Sequence, residues 1–484
     1  MLNRRNLLKG ALLGGAAYWF GSRLMVGRQV VAFAPDGLDP TTVHKWVTQM
    51  IIPPAMPGTI GAYKDTYKIA VRQFDQQILP PALPKTTVWS YGSVRNAADA
   101  AATFNYPAFT IEADVGKTVE VEWRNELYTT NKYGKKNFLP HLLTVDPSLH
   151  WANPPGGKAD RDTRPTFTTT PDPYSGPVPM VTHVHGARVH EDSDGYPESW
   201  YLPLADNIPA GYARTGTFFD IYNERHKNGW NPKGGSVTFE YPNDQRATTL
   251  WYHDHTLGMT RLNVYAGPAG FYLLRGGPED KVEDSRNGSK ATLPGPAPGV
   301  GDDPFATDYG EIPIAVQDRA FNQDGSLFYP DSRDFFGDIP PNTPFIPTSD
   351  ISPYWNPEFF GDTMVVNGRS WPFLEVKRKR YRFRFLNGCD ARFLVLKLTT
   401  GPRGGNDDFN TPDAKVKFWQ IGNEGGFLKK PAKLDHLLMG NAERADVIID
   451  FDKLDPSVTK LYLVNDGPDV PFNGLPTDNN DPRF

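Results

Sequence analysis

Apolar and polar residues alternate along much of the chain. Val119-Glu-Val121-Glu-Trp123 puts three apolar side chains on one face of an extended segment and two acids on the other, the pattern of a half-buried strand. Tyr381-Arg-Phe383-Arg-Phe385 repeats that pattern with arginine in the polar positions. Each run meets an asparagine two residues on, Asn125 and Asn387, so the two segments echo each other and hint at one β unit used twice. No long run of period 3.6 stands out. Residues 276 to 304, "GGPEDKVEDSRNGSKATLPGPAPGVGDDP", are charged, rich in glycine and proline and without period, which reads as a linker or a long surface loop. The expected architecture is all-β, with two successive β-sandwiches. The first covers 35–277 with an N-terminal extension, and the second covers 309–470. A linker at 278–308 joins them and a polar tail at 471–484 follows.

Composition agrees. The 484 residues include 45 glycines and 46 prolines, as in a loop-rich β protein, and 13% of them are aromatic, a class favoured in strands. A net charge of -5 argues against nucleic acid as a partner. A single cysteine, Cys389, excludes an intrachain disulfide and a thiolate-rich metal cluster. The N-terminus, "NRRNLLKGALLGGAAYWFGS", pairs Arg4 with Arg5 ahead of an apolar stretch from Gly10 to Ser22. It looks like a twin-arginine export signal, assigned to residues 1–34, and places the protein in the periplasm or outside the cell. The apolar stretch is shorter than the roughly 20 residues that cross a bilayer, so no stable membrane insertion is expected.

The candidate chemistry lies in two histidine pairs. "VTHVHGARVHEDSDGYPESW" carries His183 and His185, and "TLWYHDHT" carries His253 and His255. Alternate side chains on a strand share a face, so each pair aims two imidazoles the same way. Ten histidines in this length give about 0.2 such pairs by chance, so two pairs call for a chemical reason. Imidazole suits copper, zinc, iron and nickel. A pair could chelate one ion or give one ligand to each of two neighbouring ions, and the spacing leaves both open. No cysteine lies near and no Glu-x-x-His pattern occurs, which weakens a hydrolytic zinc reading. Four histidines converging from two strands suit a multinuclear cluster. His44, His141, His150, His226 and His436 read as surface or hydrogen-bonded core residues.

"THVHGARVHEDSDGYPESW" and "TLWYHDHTLGMTRLNVYAGPAGFYLLRG" resemble the first two copper motifs of the multicopper oxidases, in the branch of bacterial spore-coat laccases and bilirubin oxidases. The likeness continues through "DRAFNQDGSLFYP", "FFGDTMVVNGRSWPFLEV", "RYRFRFLNG", "QIGNEGGFL" and "AERADVIIDF", and covers nearly all of residues 80 to 470. It implies that each sandwich is a cupredoxin-like Greek key. It implies that His183 is similar to a type 2 copper ligand, and that His185, His253 and His255 are similar to type 3 ligands of a trinuclear cluster. Asp194 resembles an acid that assists proton delivery to oxygen there; as a residue alone it reads equally as a turn before Gly195. Trp251 and Tyr252 are expected to pack the sandwich. The implied reaction oxidises phenolic, tetrapyrrole or metal-ion substrates one electron at a time and reduces oxygen to water, so oxygen and a small reducing substrate are the implied partners.

The chain departs from the family in lacking a His-x-x-His-x-His run and a His-Cys-His run. Those motifs supply the type 1 copper site and the other half of the trinuclear ligands. Cys389 stands between Gly388 and Asp390 and reads as a buried apolar residue. The expectation is therefore an oxidase whose third cupredoxin domain comes from a separate chain or a longer gene product. The alternative is a truncated, catalytically inactive exported scaffold that binds some copper.

Overall fold

The Val119 run forms the strand Thr118–Asn125, whose side chains alternate strictly between buried and half-buried. Val119, Val121 and Trp123 enter the core, while Glu120 and Glu122 face outward. This strand lies parallel to Lys64–Gln76 and antiparallel to Ser236–Tyr241. The Tyr381 run forms Arg380–Asn387, parallel to Glu311–Phe321 and antiparallel to Arg444–Asp450. Both strands thus hold the same place between one parallel and one antiparallel neighbour, and the sequence echo is a structural repeat.

The asparagine that closes each run does the same work in both. Asn125 Oδ1 accepts from Leu127 N–H at 3.2 Å, and its Nδ2 donates to the carbonyls of Val178 (2.9 Å) and Tyr201 (3.1 Å). Asn387 Oδ1 accepts from Cys389 N–H at 3.0 Å, and its Nδ2 donates to the carbonyls of Arg392 and Met439, both at 3.0 Å. Both side chains are buried. A stranded buried polar group costs about 1–3 kcal/mol, so Asn387→Ala is expected to lower stability by at least about 2 kcal/mol in a denaturant titration. A shift below about 0.5 kcal/mol would show that water replaces the amide.

The repeat differs on its polar face. Arg382 and Arg384 are buried, so the second run is covered on both sides where its alternation predicts a half-buried strand. The reason is ionic pairing: Arg382 binds Asp446 and Glu311, and Arg384 lies beside both acids.

The computed structural model describes residues 37–225, 230–231, 233–277, 293, 298–299, 302, 309–331, 358–402, 414, 416–468 and 472. The export signal at 1–34, most of the 278–308 linker, His226 and all of the 471–484 tail but Phe472 lie outside them. The first sandwich sets the sheet Lys64–Gln76, Thr118–Asn125, Ser236–Tyr241 against a second sheet, ordered Ala108–Asp114, Ala269–Arg275, Thr248–Asp254, Thr182–His185. Its core lies between them, from Ile69, Val121 and Phe239 on one side to Ile111, Val184, Tyr252 and Tyr272 on the other. The second sandwich pairs the large sheet around Glu311–Phe321, Arg380–Asn387 and Arg444–Asp450 with the sheet Leu437–Met439, Leu394–Thr399, Tyr462–Asn465.

Two features join the sandwiches. The N-terminal segment, expected to extend the first, also runs along the second. Leu38, Trp46 and Met50 donate their N–H groups to the carbonyls of Phe321, Trp371 and Phe373, each at 2.8 Å, and Met50 and Ile52 enter the second core. A separate apolar cluster joins Trp251, Ala269, Phe271 and Leu273 of the first sandwich to Ala315 and Leu386 of the second. Cys389 is buried in the second core, as its flanking residues suggest. Among the described residues no helix is long and apolar enough to cross a membrane.

Candidate metal centre

The strand Thr182–His185 is an edge of its sheet, and the strand Thr248–Asp254 is its neighbour. Thr182 and Val184 point into the sandwich, which turns His183 and His185 outward. Leu250, Tyr252 and Asp254 likewise point inward, leaving Trp251 and His253 on the outer face. Tyr252 is a core residue whose hydroxyl donates to the Phe109 carbonyl at 2.6 Å. Trp251 instead packs against imidazoles and against the second sandwich.

Register brings the two pairs together. His253 stands directly opposite His183, and Trp251 stands opposite His185. His255 N–H donates to the Val181 carbonyl at 2.8 Å, which carries the ladder one step past the end of the strand. Facing and diagonal neighbours across an antiparallel pair are within reach of each other. The ring centroids follow: His183 lies 5.6 Å from His253 and 4.8 Å from His255, and His253 lies 5.5 Å from His185. One ring nitrogen from each of His183, His185 and His253 falls within 4.8 Å of the others.

Backbone carbonyls fix which nitrogens face inward. His183 Nδ1 donates to the Asp194 carbonyl at 2.5 Å, and His253 Nδ1 donates to the Asp254 carbonyl at 2.6 Å. Each proton is thereby held on Nδ1, leaving the Nε2 lone pair free as a ligand. His253 Nε2 lies 3.2 Å from His185 Nδ1, so two donor nitrogens converge. Burial, the Arg444 cation and neighbouring imidazoles push His185 down to about 4. Burial and His183 push His255 down to about 4 and contribute, with other neighbours, to pushing His253 well below the usual imidazole range. These three rings are neutral at physiological pH, the form that binds metal. A set of imidazoles with no thiolate and no carboxylate among the converging atoms fits copper, zinc or another borderline ion, and fits calcium or magnesium poorly.

Asp194 sits on the Nδ1 side of His183, its carboxylate 3.5 Å from that nitrogen. The His183 ring holds its carboxyl below the usual range against the opposing effect of burial. Asp194 therefore acts on His183 twice, by its carbonyl and by its charge, and its carboxylate remains 41% exposed. Gly195 follows at φ +76°, and a Cβ there would fall 2.2 Å from the Thr182 carbonyl. Glycine thus lets this turn close against the histidine strand.

Three residues of the site escape a reading by motif. Asp254, between the paired histidines, is wholly buried on the inward face. It accepts from Val181 N (3.1 Å), Thr256 N (3.0 Å), Thr256 Oγ1 (2.8 Å) and Asn263 Nδ2 (2.9 Å). Burial pushes its carboxyl up to about 6 against these donors. An aspartate at an inward strand position was the available signal. Asn263 Oδ1 in turn faces His141 Nε2 at 3.1 Å, which makes His141 a hydrogen-bonded core residue. Arg444 reaches the site from the second sandwich, and no local pattern announces it.

No protein-family model matches the chain. The chain is 33% identical over 413 residues to a laccase of Bacillus stratosphericus, covering 84% of this chain and 60% of that protein. It is 31% identical over 478 residues to a laccase of Haloferax volcanii, covering 96% and 62%. It is 31% identical over 386 residues to the multicopper oxidase LPR1 of Arabidopsis thaliana, covering 80% and 48%. The chain thus spans about half to three-fifths of the length of these relatives. Its fold is similar to a crystal structure of a multi-copper oxidase from Pediococcus acidilactici, with a TM-score of 0.50 at 19% identity over 90% of this chain and 63% of that one. That likeness is one of fold, the cupredoxin-like sandwich.

Proposed function

The chain belongs to the multicopper oxidase family, and from that premise we propose that His183, His185, His253 and His255 hold copper as half of a trinuclear cluster. The observation that supports this is the convergence of imidazoles from two paired strands, with carbonyls locking two of them in the ligating tautomer. Copper bound there would supply the redox centre at which oxygen is reduced to water with electrons taken singly from a phenolic, tetrapyrrole or metal-ion substrate.

The residues of the chain prepare that site. The strand register sets the spacing of the rings. The Asp194 and Asp254 carbonyls orient His183 and His253. The Trp251 indole backs His185 and His253 at centroid distances of 5.5 and 4.2 Å and keeps water from that side. The half-exposed Asp194 carboxylate holds or releases a proton at Oδ1 beside His183, between the site and solvent. The remaining imidazoles and the type 1 site, with its cysteine, come from outside these 484 residues, on a third cupredoxin-like domain. The Arg4-Arg5 segment directs export by the twin-arginine route to the periplasm or beyond.

Copper per chain, measured by equilibrium dialysis over a pH series with an absorption spectrum of each sample, tests this reading. A free imidazole protonates at about 6.5. Uptake here is expected to hold through that value and fall as the pH drops through about 4, because burial keeps His185 and His255 neutral. No intense thiolate-to-copper band is expected until the third domain is added. Absence of copper at neutral pH, or loss of copper centred on 6.5, would count against the site.

A further inference from the structure

Arg444 opens the strand Arg444–Asp450 of the second sandwich, yet its side chain is buried against the first. Its three side-chain hydrogen bonds go to carbonyl oxygens. Nη1 donates to Ala442 at 2.6 Å, on its own sandwich. Nε donates to Thr249 at 3.0 Å, near the start of the strand that carries His253. Nη2 reaches the carbonyl of His185 at 3.5 Å, at the end of the strand that carries His183. One planar guanidinium therefore spans the two histidine-bearing strands where they run side by side. The next residue, Gly186, has φ +87°, and a Cβ there would fall 2.9 Å from Arg444 Nη2. The glycine leaves the space that the guanidinium fills.

The surroundings make this a fixed point. Arg444 N–H donates to Glu424 Oε1 at 2.7 Å. Thr248 Oγ1 bonds the carbonyls of Asn423 (2.7 Å) and Glu424 (3.0 Å), and Arg384 Nη1 donates to Thr249 Oγ1 at 2.9 Å. Trp251 stacks on His185, with ring planes 23° apart, and packs with Ala315 and with Leu386, the cross-strand partner of Arg444, in the second sandwich. A rigid fork of donors is suited to such a clasp in a way that a flexible ammonium is not.

We propose that Arg444 is a positioning residue of the copper site. By clasping the carbonyls of Thr249 and His185 it fixes the His185 end of the imidazole ladder, and it makes the geometry of the ligands depend on docking of the second sandwich. This rests on the reading that the four histidines hold copper. Partners that orient metal ligands typically change metal affinity by about 10–100-fold.

The experiment compares wild type, Arg444→Met, Arg444→Lys and Thr248→Val. Copper(I) affinity is measured by competition with a chromophoric chelator, and the copper(II) hyperfine coupling is read in frozen solution. Arg444→Met is expected to weaken binding about tenfold or more and to change the hyperfine coupling, with Arg444→Lys between it and wild type. Thr248→Val removes the Thr248 Oγ1 bonds to Asn423 and Glu424 but leaves the three Arg444 bonds that hold the docked strands in place, and is expected to keep the wild-type coupling. Wild-type affinity and coupling in Arg444→Met would overturn the proposal, as would an equal change in Thr248→Val. Should Arg444→Met fail to fold, Arg444→Lys decides by the same two readings. A wild-type chain that takes up no copper overturns the copper reading itself, a result distinct from these.

Discussion

His253→Ala is expected to bind copper more than about 100-fold more weakly than wild type, beyond the 10–100-fold typical of residues that only orient a ligand. His253 is the hub of the site. It stands directly opposite His183, its ring lies 5.5 to 5.9 Å from those of the other three histidines, and its Nε2 is 3.2 Å from His185 Nδ1. It is also the most buried of the three that converge, at 5% exposure, so water replaces it poorly as a ligand. Alanine leaves the Asp254 carbonyl without its imidazole donor and opens a gap beside Trp251, 4.2 Å from the lost ring. The measurement is copper per chain after dialysis, with His436→Ala as the control from an exposed loop. Retention of wild-type copper by His253→Ala would remove the basis for a four-imidazole site, whatever the family resemblance implies.

What was legible in the sequence is what depends on neighbours along the chain. The Val119 and Tyr381 runs announce strands because the period of two is local, and Asn125 and Asn387 announce a repeat because each caps the turn two residues on. His183 and His185 share a face for the same reason. That His253 lies opposite His183 is a matter of register between strands whose paired residues are 66 to 72 positions apart, and only the motif resemblance brought those pairs together beforehand. The tautomer locks on His183 and His253 are backbone contacts and leave no mark on side-chain pattern. Arg444 was out of reach because its partners are 195 and 259 residues away. The arginines of the Tyr381 run were misplaced for a related reason: alternation tells which side is polar, and it does not tell whether a second sandwich covers that side. Asp194 was singled out by the motif resemblance as an acid, and what the fold adds is its contact with His183 through both carbonyl and carboxylate.

That covered side yields the second large effect. Glu311→Gln is expected to destabilise the protein by about 3–5 kcal/mol, the usual cost of stranding a buried charge. Three cations, Arg275, Arg382 and Arg384, meet three carboxylates, Glu112, Glu311 and Asp446, between the two sandwiches. Glu311 is central, 2.6 Å from Arg275, 3.1 Å from Arg382 and 3.6 Å from Arg384. Burial pushes its carboxyl up, and the cations of Arg384, Arg275 and Arg382 outweigh that and hold it at about 2, below the ordinary 4.5. A folded value below the unfolded one means that the stabilisation is fully present above about 4.5 and is lost as the pH falls toward about 2. Glutamine keeps the shape and removes the charge, leaving three arginines, Arg382 and Arg384 buried and Arg275 half-buried, against two acids. The contrast is Glu120→Gln, which breaks the 2.6 Å pair with Lys64 on the surface, where the partners are 32% and 43% exposed and the expected loss is at most about 1 kcal/mol. Denaturant midpoints for both variants at neutral pH, repeated on the acid side, separate the two cases. The deficit of Glu311→Gln should shrink as the pH falls toward about 2, because acid then removes from wild type the charge that the variant already lacks. Equal small losses in the two variants would mean that water reaches the network and that the other contacts between the sandwiches, the apolar cluster around Trp251 and Leu386 among them, hold them together without it.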